Sequence, residues 1–184
     1  MKRTVLKLPA IFVLLTFLSV QAFSQSESTW HLDQGKAIAR KSILMPGKLA
    51  VDIYKEVNRW LVKYYNEPED NIKARIDGEY LRGAGYHTNI FNSRESADFS
   101  YTFIFDVVDG KVTMTITDGL IIHVYASAVS EPDKHESVEE YLRLERKTKI
   151  KAREVEQVMM LLNSFSVSLF ESFENSAIQT NGRL

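Results

Sequence analysis

Four histidines are the first candidates for chemistry: His31, His87, His123 and His135. None lies within four residues of another, so no H-x-H or H-E-x-x-H pair presents two metal ligands from one element. His87 and His123 fall on different predicted strands. An enzyme built on them would need both to converge with Tyr86 and a glutamate in one pocket that shifts their pKa values. The chain has no cysteine, which excludes disulfides, thiolate metal sites and a cysteine nucleophile. No G-x-S-x-G or P-loop pattern occurs. Gly83-Ala84-Gly85 lacks the third glycine of a dinucleotide-binding loop and lies in a predicted antiparallel strand. Glu67, Glu69 and Asp70 share a turn without the spacing of a calcium-binding EF-hand loop. Asp106 and Asp109 flank a hairpin tip, and nothing in the sequence sets the separation or the cleft that paired glycosidase acids require. No catalytic residue, metal or cofactor is expected.

The aromatic residues are the richer signal. Tyr80, Arg82 and Tyr86 fall on the same outward side of a predicted strand. Tyrosine and arginine are the residues that anchor protein interfaces, so this stripe is the predicted surface for a partner protein or envelope component. A second arrangement has the sheet wrapping a long C-terminal helix around an apolar cavity, as in helix-grip carriers of small apolar ligands. Met159, Met160 and Phe165 would then line the cavity.

The start of the chain concerns its address rather than its fold. Lys2, Arg3 and Lys7 precede an apolar run from Pro9 to Val20, shorter than the ~20 residues a membrane span needs. A basic start, a short apolar run and small residues at Ala22 and Ser24 describe a secretory signal peptide cleaved after Ser24. Without a cysteine at the exit, a lipid anchor is excluded. Removing residues 1–24 takes away three basic and no acidic residues. That leaves 160 residues with 20 basic and 24 acidic side chains. The mature protein is therefore expected in the periplasm or outside the cell, mildly acidic, with no further membrane span. Its charge argues against nucleic acid as a partner. Its oligomeric state is not legible.

The elements that must position these residues follow from hydrophobic period. Residues 25–36 read as a polar arm with an isolated Trp30, and residues 37–45 as a first strand before Pro46-Gly47. Leu49, Ile53, Val57, Trp60, Leu61 and Tyr64 recur at helical spacing. The period then changes to two: Ile72, Ala74 and Ile76, a turn at Asp77-Gly78, and a return strand from Tyr80 to Thr88. That strand carries Leu81, Gly83 and Gly85 on its inner side, where the glycines would admit Trp60 or Phe165. A polar loop spans residues 89–96.

Phe99, Tyr101, Phe103, Phe105 and Val107 alternate up to Asp109-Gly110, a two-residue hairpin turn. This loop length pairs Val108 with Lys111, Val107 with Val112, Phe105 with Met114 and Phe103 with Ile116, bringing the large apolar residues onto one face. Asp118-Gly119 reads as the lead into a separate strand at 120–126, and residues 130–135 as a polar loop. Ser137 and Glu140 make a capping box for a short helix ending near Arg146. A long helix runs from about residue 150 to 173, although Ser164–Phe170 also alternates like a strand. Residues 175–184 form a polar tail.

Three pieces in this order resemble a known family. They are Gly47-Lys48-Leu49 through Ile53-Tyr54 to Trp60-Leu61, then Gly78 through Leu81-Arg82-Gly83-Ala84-Gly85, then Tyr101 through Asp109-Gly110-Lys111. The chain from about Ile38 to Tyr125 resembles the secreted bacterial family "domain of unknown function 4468, with TBP-like fold". The resemblance implies a βαβ₄α arrangement and no reaction, because that family has no assigned activity. The expected fold is α+β: a TBP-like two-layer sandwich, with an N-terminal helix and a long C-terminal helix on one face of an antiparallel sheet. A single domain over residues 37–174 is expected, with the family-like core at 37–126 and helices at 137–174. The expected function is that of an exported, non-enzymatic domain binding through its open sheet face, with the helix-grip carrier as the alternative.

Overall fold

The computed structural model describes residues 28–65, 67–90, 96–124, 134–143 and 149–179. The leader at 1–24 and its cleavage point lie outside the described residues, as do 91–95 of the polar loop, Tyr125, Ala126, the end of the short helix near Arg146, and residues 180–184.

The apolar face of the chain's best hairpin organises the rest. Strands β5 (Ser96–Val108) and β6 (Lys111–Val124) pair antiparallel with Val108 opposite Lys111, Phe105 opposite Met114 and Phe103 opposite Ile116. This is the register the Asp109-Gly110 turn dictates. Strand β4 (Tyr80–His87) joins β5, and β3 (Ile72–Ile76) closes that edge. On the other side, β2 (Lys36–Leu44) pairs with β6 along Lys111–Thr117, and β1 (His31–Asp33) lies outside β2. A short strand β7 (Lys134–Ser137) takes over the same edge of β6 along Leu120–His123.

Helices α1 (Ala50–Tyr64) and α4 (Lys149–Gln179) cover one face of this sheet. Between them in sequence lie the short helices α2 (Pro68–Asn71) and α3 (Val138–Arg143). Trp60 on α1 sits at the centre of the sandwich, edge-on to Phe105 of β5 (5.7 Å) and Phe173 of α4 (5.6 Å). Phe99, Phe103, Phe105, Met114, Ile116, Leu162, Phe170 and Phe173 are fully buried around it. Strand alternation and helical stripes bury one common set of side chains, which gives the two-layer α+β sandwich.

Local capping fits this assembly. The N-terminus of α1 has no cap of its own at Leu49; instead Asp109 at the hairpin tip accepts a hydrogen bond from the Ala50 amide at 2.7 Å. Ser137 and Glu140 form the reciprocal capping box of α3, at 3.1 and 3.3 Å.

Several expectations need correction. The stretch read as a loose arm contains β1, and Trp30 is only 4 % exposed, edge-on to Phe99. Composition alone shows a polar segment with one tryptophan, not the slot that receives it. Asp118-Gly119 does not separate two strands. It is a bulge within β6, with Asp118 in the left-handed region at φ 51°. Gly119 is required there, because a Cβ would lie 2.6 Å from Val138 Cγ2 and 3.0 Å from the Trp30 ring. Lys134 and His135, read as the end of the polar loop at 130–135, belong to strand β7, which is recruited by the edge that β2 leaves vacant beyond Thr117; residues 130–133 lie outside the described residues. Helix α4 is helical throughout Ser164–Phe170 and continues to Gln179, with Ala177 buried, so the tail at 175–184 begins as helix. Gly83 and Gly85 do face inward, but the rings lying on them are Phe103 and Tyr101, their cross-strand partners on β5, rather than Trp60 or Phe165.

Candidate functional site

The sheet face opposite the helices carries the predicted stripe. Strand alternation places Tyr80, Arg82, Ala84 and Tyr86 of β4 on it, beside Ser100, Thr102, Ile104 and Asp106 of β5. Tyr86 is 53 % exposed. Its hydroxyl donates to the carboxylate of Asp98, which is itself buried and also accepts the Asn89 amide at 3.1 Å. The ring is thus held by a carboxylate that is fixed in turn by the backbone. The guanidinium of Arg82 reaches across β5 to Asp118 at the β6 bulge, 3.7 Å away, and both side chains are about half exposed. Tyr80 is half-buried at the end of the strand. The three predicted residues therefore share one face, with Ala84 as a gap between Arg82 and Tyr86.

Further across the same face, Arg40 of β2 donates through Nε to Thr115 Oγ1 at 3.2 Å and lies 3.9 Å from Asp33. Arg40 and Asp98 were not singled out from sequence. The pairing of β4 with β5 puts Tyr86 opposite Ser100, one outward position from Asp98. Eight residues separate these strands, so no two-residue turn rule supplies their register. Asp118 was visible only as part of a turn-like dipeptide.

The residues of the enzyme reading do not come together. Tyr86 points outward and His87 inward, as neighbours on a strand must. His87 lies against Tyr64, Tyr101 and Phe165, with ring centroids 4.9 Å apart for Phe165, and burial lowers its pKa. Its Nε2 is 3.4 Å from the Tyr64 hydroxyl. Beside it the Tyr65 and Tyr101 hydroxyls share a hydrogen bond of 2.9 Å, and burial raises the pKa of both phenols. His123 sits two strands away and meets Glu136 at 3.0 Å. Glu136 also accepts from Tyr141 and Lys134. Burial alone would raise the Glu136 carboxyl, but these donors and the Lys134 charge outweigh it and hold the pKa at about 2. Both clusters tie elements together: His87 joins α1, β4, β5 and α4, while Glu136 joins β6, β7 and α3.

Two of the carboxylates singled out from sequence have side-chain roles of their own. Asp109 caps α1, and Glu69 pairs with Arg75 at 3.3 Å. Among the described residues no group of three or more His, Asp or Glu side chains could hold a metal ion.

The carrier residues separate. Phe165 is wedged among Phe99, Tyr101 and His87, at 4.9–5.4 Å between centroids, and fills the space between α4 and the sheet at that end. Met159 and Met160 instead line an open depression of about 510 Å³ with Glu156, Asn163, Ser164 and Val167, all on α4. The three side chains do not line one cavity, because a helix presents residues 160 and 165 to different sides.

Among the described residues no helix is long and apolar enough to cross a membrane. Residues 40–119 match the family described as "Domain of unknown function (DUF4468) with TBP-like fold". No curated protein matches the chain. Two solved structures share the architecture. A DUF4468 family protein from Bacteroides ovatus superposes with a TM-score of 0.64 at 16 % identity, covering 85 % of this chain and 94 % of that one. A TBP-like protein from Parabacteroides distasonis gives a TM-score of 0.58 at 12 % identity, covering 79 % and 97 %. At such identities the likeness concerns the fold alone. The helix ending in Trp60, the inward glycines of β4 and the Asp109-Gly110 hairpin all lie inside the matched segment, so over residues 40–119 the chain is similar to that family and has its TBP-like fold.

Proposed function

We propose that this protein is an exported, non-enzymatic domain that binds a partner protein through the sheet face opposite its helices, with Tyr80, Arg82 and Tyr86 in the contact. The carrying observation is Tyr86, an aromatic ring about half exposed yet locked by a buried carboxylate. An exposed ring held in place loses little entropy on binding. Arg82 supplies a charge whose present partner, Asp118, is itself solvated, so a carboxylate on the partner can compete for it. Export rests on the basic start and apolar run of residues 1–24.

The test is affinity capture from the envelope fraction of the native host, followed by mass spectrometry. A partner in the sense proposed is retained by the wild-type chain and by Val62→Ala, an exposed position on α1 away from this face. It is lost with Tyr86→Ala and with Arg82→Ala. A partner bound equally by all four overturns the assignment of the face. The same mass spectra report the mature N-terminus, expected at Gln25; an intact Met1 overturns the export reading.

A further inference from the structure

Helix α4 carries a second exposed feature on the side turned away from the sheet. Arg153, Glu156, Met160, Ser164, Val167 and Glu171 follow one another at steps of three or four residues and so form one longitudinal stripe. Met160 is 60 % exposed, far above the ordinary fate of a methionine on a core-packing helix. Ser164, one turn on, folds its hydroxyl back onto the Met160 carbonyl at 2.9 Å. The stripe thus has a protruding thioether beside a low point, the depression lined by Met159, Met160, Asn163 and Ser164. Arg153 and Glu171 are both exposed, and neither has an ion-pair partner among the described residues.

Four of these six positions are related by a symmetry of their own. Residues 160 and 164 are equidistant from 162, and so are 153 and 171. We propose that α4 pairs antiparallel with the α4 of a second copy of this chain, about a two-fold axis at the level of Leu162. That arrangement sets Met160 of each copy against Ser164 of the other, and Arg153 of each against Glu171 of the other. A two-fold contact requires one patch to be complementary to itself, and this stripe is so in both shape and charge. A parallel pairing would set Arg153 against Arg153 and Met160 against Met160.

The small side chain of Ser164 allows the close axis separation, about 8–10 Å, at which ridges of one helix enter grooves of another. The contact from 153 to 171 is about 27 Å long at 1.5 Å per residue. One helix pair of that length falls short of the ~1,200 Å² of a standard interface, so the dimer is expected to be weak and reversible. Both outer sheet faces stay exposed in it, and the proposal does not depend on the binding role assigned to them.

Sedimentation equilibrium of the purified protein, from low micromolar to several hundred micromolar, tests the idea. The wild type dimerises reversibly. Met160→Lys is monomeric across the range. Arg153→Glu and Glu171→Arg, each alone, place like charges together twice per dimer and weaken association about tenfold. An equimolar mixture of these two variants regains wild-type affinity, because the mixed dimer has two complementary pairs. The double variant Arg153→Glu/Glu171→Arg regains it too. A wild type that stays monomeric throughout, a dimer indifferent to Met160→Lys, or a mixture no tighter than its separate components each overturns the proposal.

Discussion

Replacing Gly85 by alanine separates two opposing effects whose sum has a predictable sign. In a strand interior, alanine is favoured over glycine by about 0.5–1 kcal/mol, because the unfolded chain has less freedom to lose. Had the inner side of β4 been open at this point, Gly85→Ala would stabilise the protein by that amount. The new Cβ, however, would stand 2.2 Å from Cζ and 2.5 Å from the hydroxyl oxygen of Tyr101. Tyr101 cannot simply swing aside. Its ring is stacked between Phe99 and His87 at 5.5 and 6.0 Å, it meets Phe165 at 5.3 Å, and its hydroxyl is tied to Tyr65.

Overpacking of this kind costs about 1–3 kcal/mol. Breaking the Tyr65–Tyr101 hydrogen bond in a buried setting adds about 1 kcal/mol. The expected net loss is about 2 kcal/mol, which lowers a urea midpoint by about 1 M at an m-value typical of small domains. Urea unfolding followed by tryptophan fluorescence reads this directly, because Trp60 stacks on Tyr64 at 4.8 Å beside the affected cluster. Tyr101→Leu removes Cζ and the hydroxyl, and in that background Gly85→Ala should stabilise by about 0.5 kcal/mol. A midpoint unchanged or raised in the wild-type background would refute the reasoning, as would a failure of the effect to reverse in the Tyr101→Leu background.

Other perturbations probe the remaining anchors. His87 has a pKa lowered by burial. Its neutral form is favoured in the fold, so its contribution to stability is complete above the ordinary value near 6.5 and is lost as pH falls below it. His87→Phe should flatten that part of a stability–pH profile measured by thermal melting. Glu136 is held at about 2 against an unfolded value of 4.5, so it stabilises the fold above pH 4.5 and loses that contribution as pH falls toward 2. With its carboxyl partly solvated, Glu136→Gln should cost of order 1 kcal/mol at neutral pH and much less near pH 2, where the carboxyl is half protonated; equal costs at both would show that charge is not the cause. Trp30→Ala should cost about 3–5 kcal/mol, as for a buried tryptophan, whereas a surface-like loss below about 0.5 kcal/mol in denaturant unfolding would return the N-terminal segment to the status of an arm.

Features whose physics is local are legible in the residues alone. The 3.6-residue period set α1, and the period of two set β4, β5 and β6. A turn of two residues admits one register, so Asp109-Gly110 dictated the β5–β6 pairing and, with it, the apolar face. The Ser137 and Glu140 spacing announced the start of α3. Tyr80, Arg82 and Tyr86 were placed on one face by parity alone.

Features that depend on partners far along the chain follow from packing instead. Trp30 is core because Gly119, Val138 and Phe99 leave it a slot, and β7 is a strand because β6 has an edge to offer beyond β2. Asp118-Gly119 and Asp109-Gly110 have the same composition, yet one is a bulge and the other a turn; the strands paired on either side make the difference. The same holds at the candidate surface. Side-chain parity could put Tyr86 outside, but its anchoring by Asp98 waits on a register between strands eight residues apart, where no two-residue turn rule applies. In α4, propensity left Ser164–Phe170 undecided between helix and strand, and burial of Leu162, Leu169, Phe170 and Phe173 against one sheet face resolved it. Local patterning specifies which side of an element is apolar, but only packing specifies which apolar surface it meets.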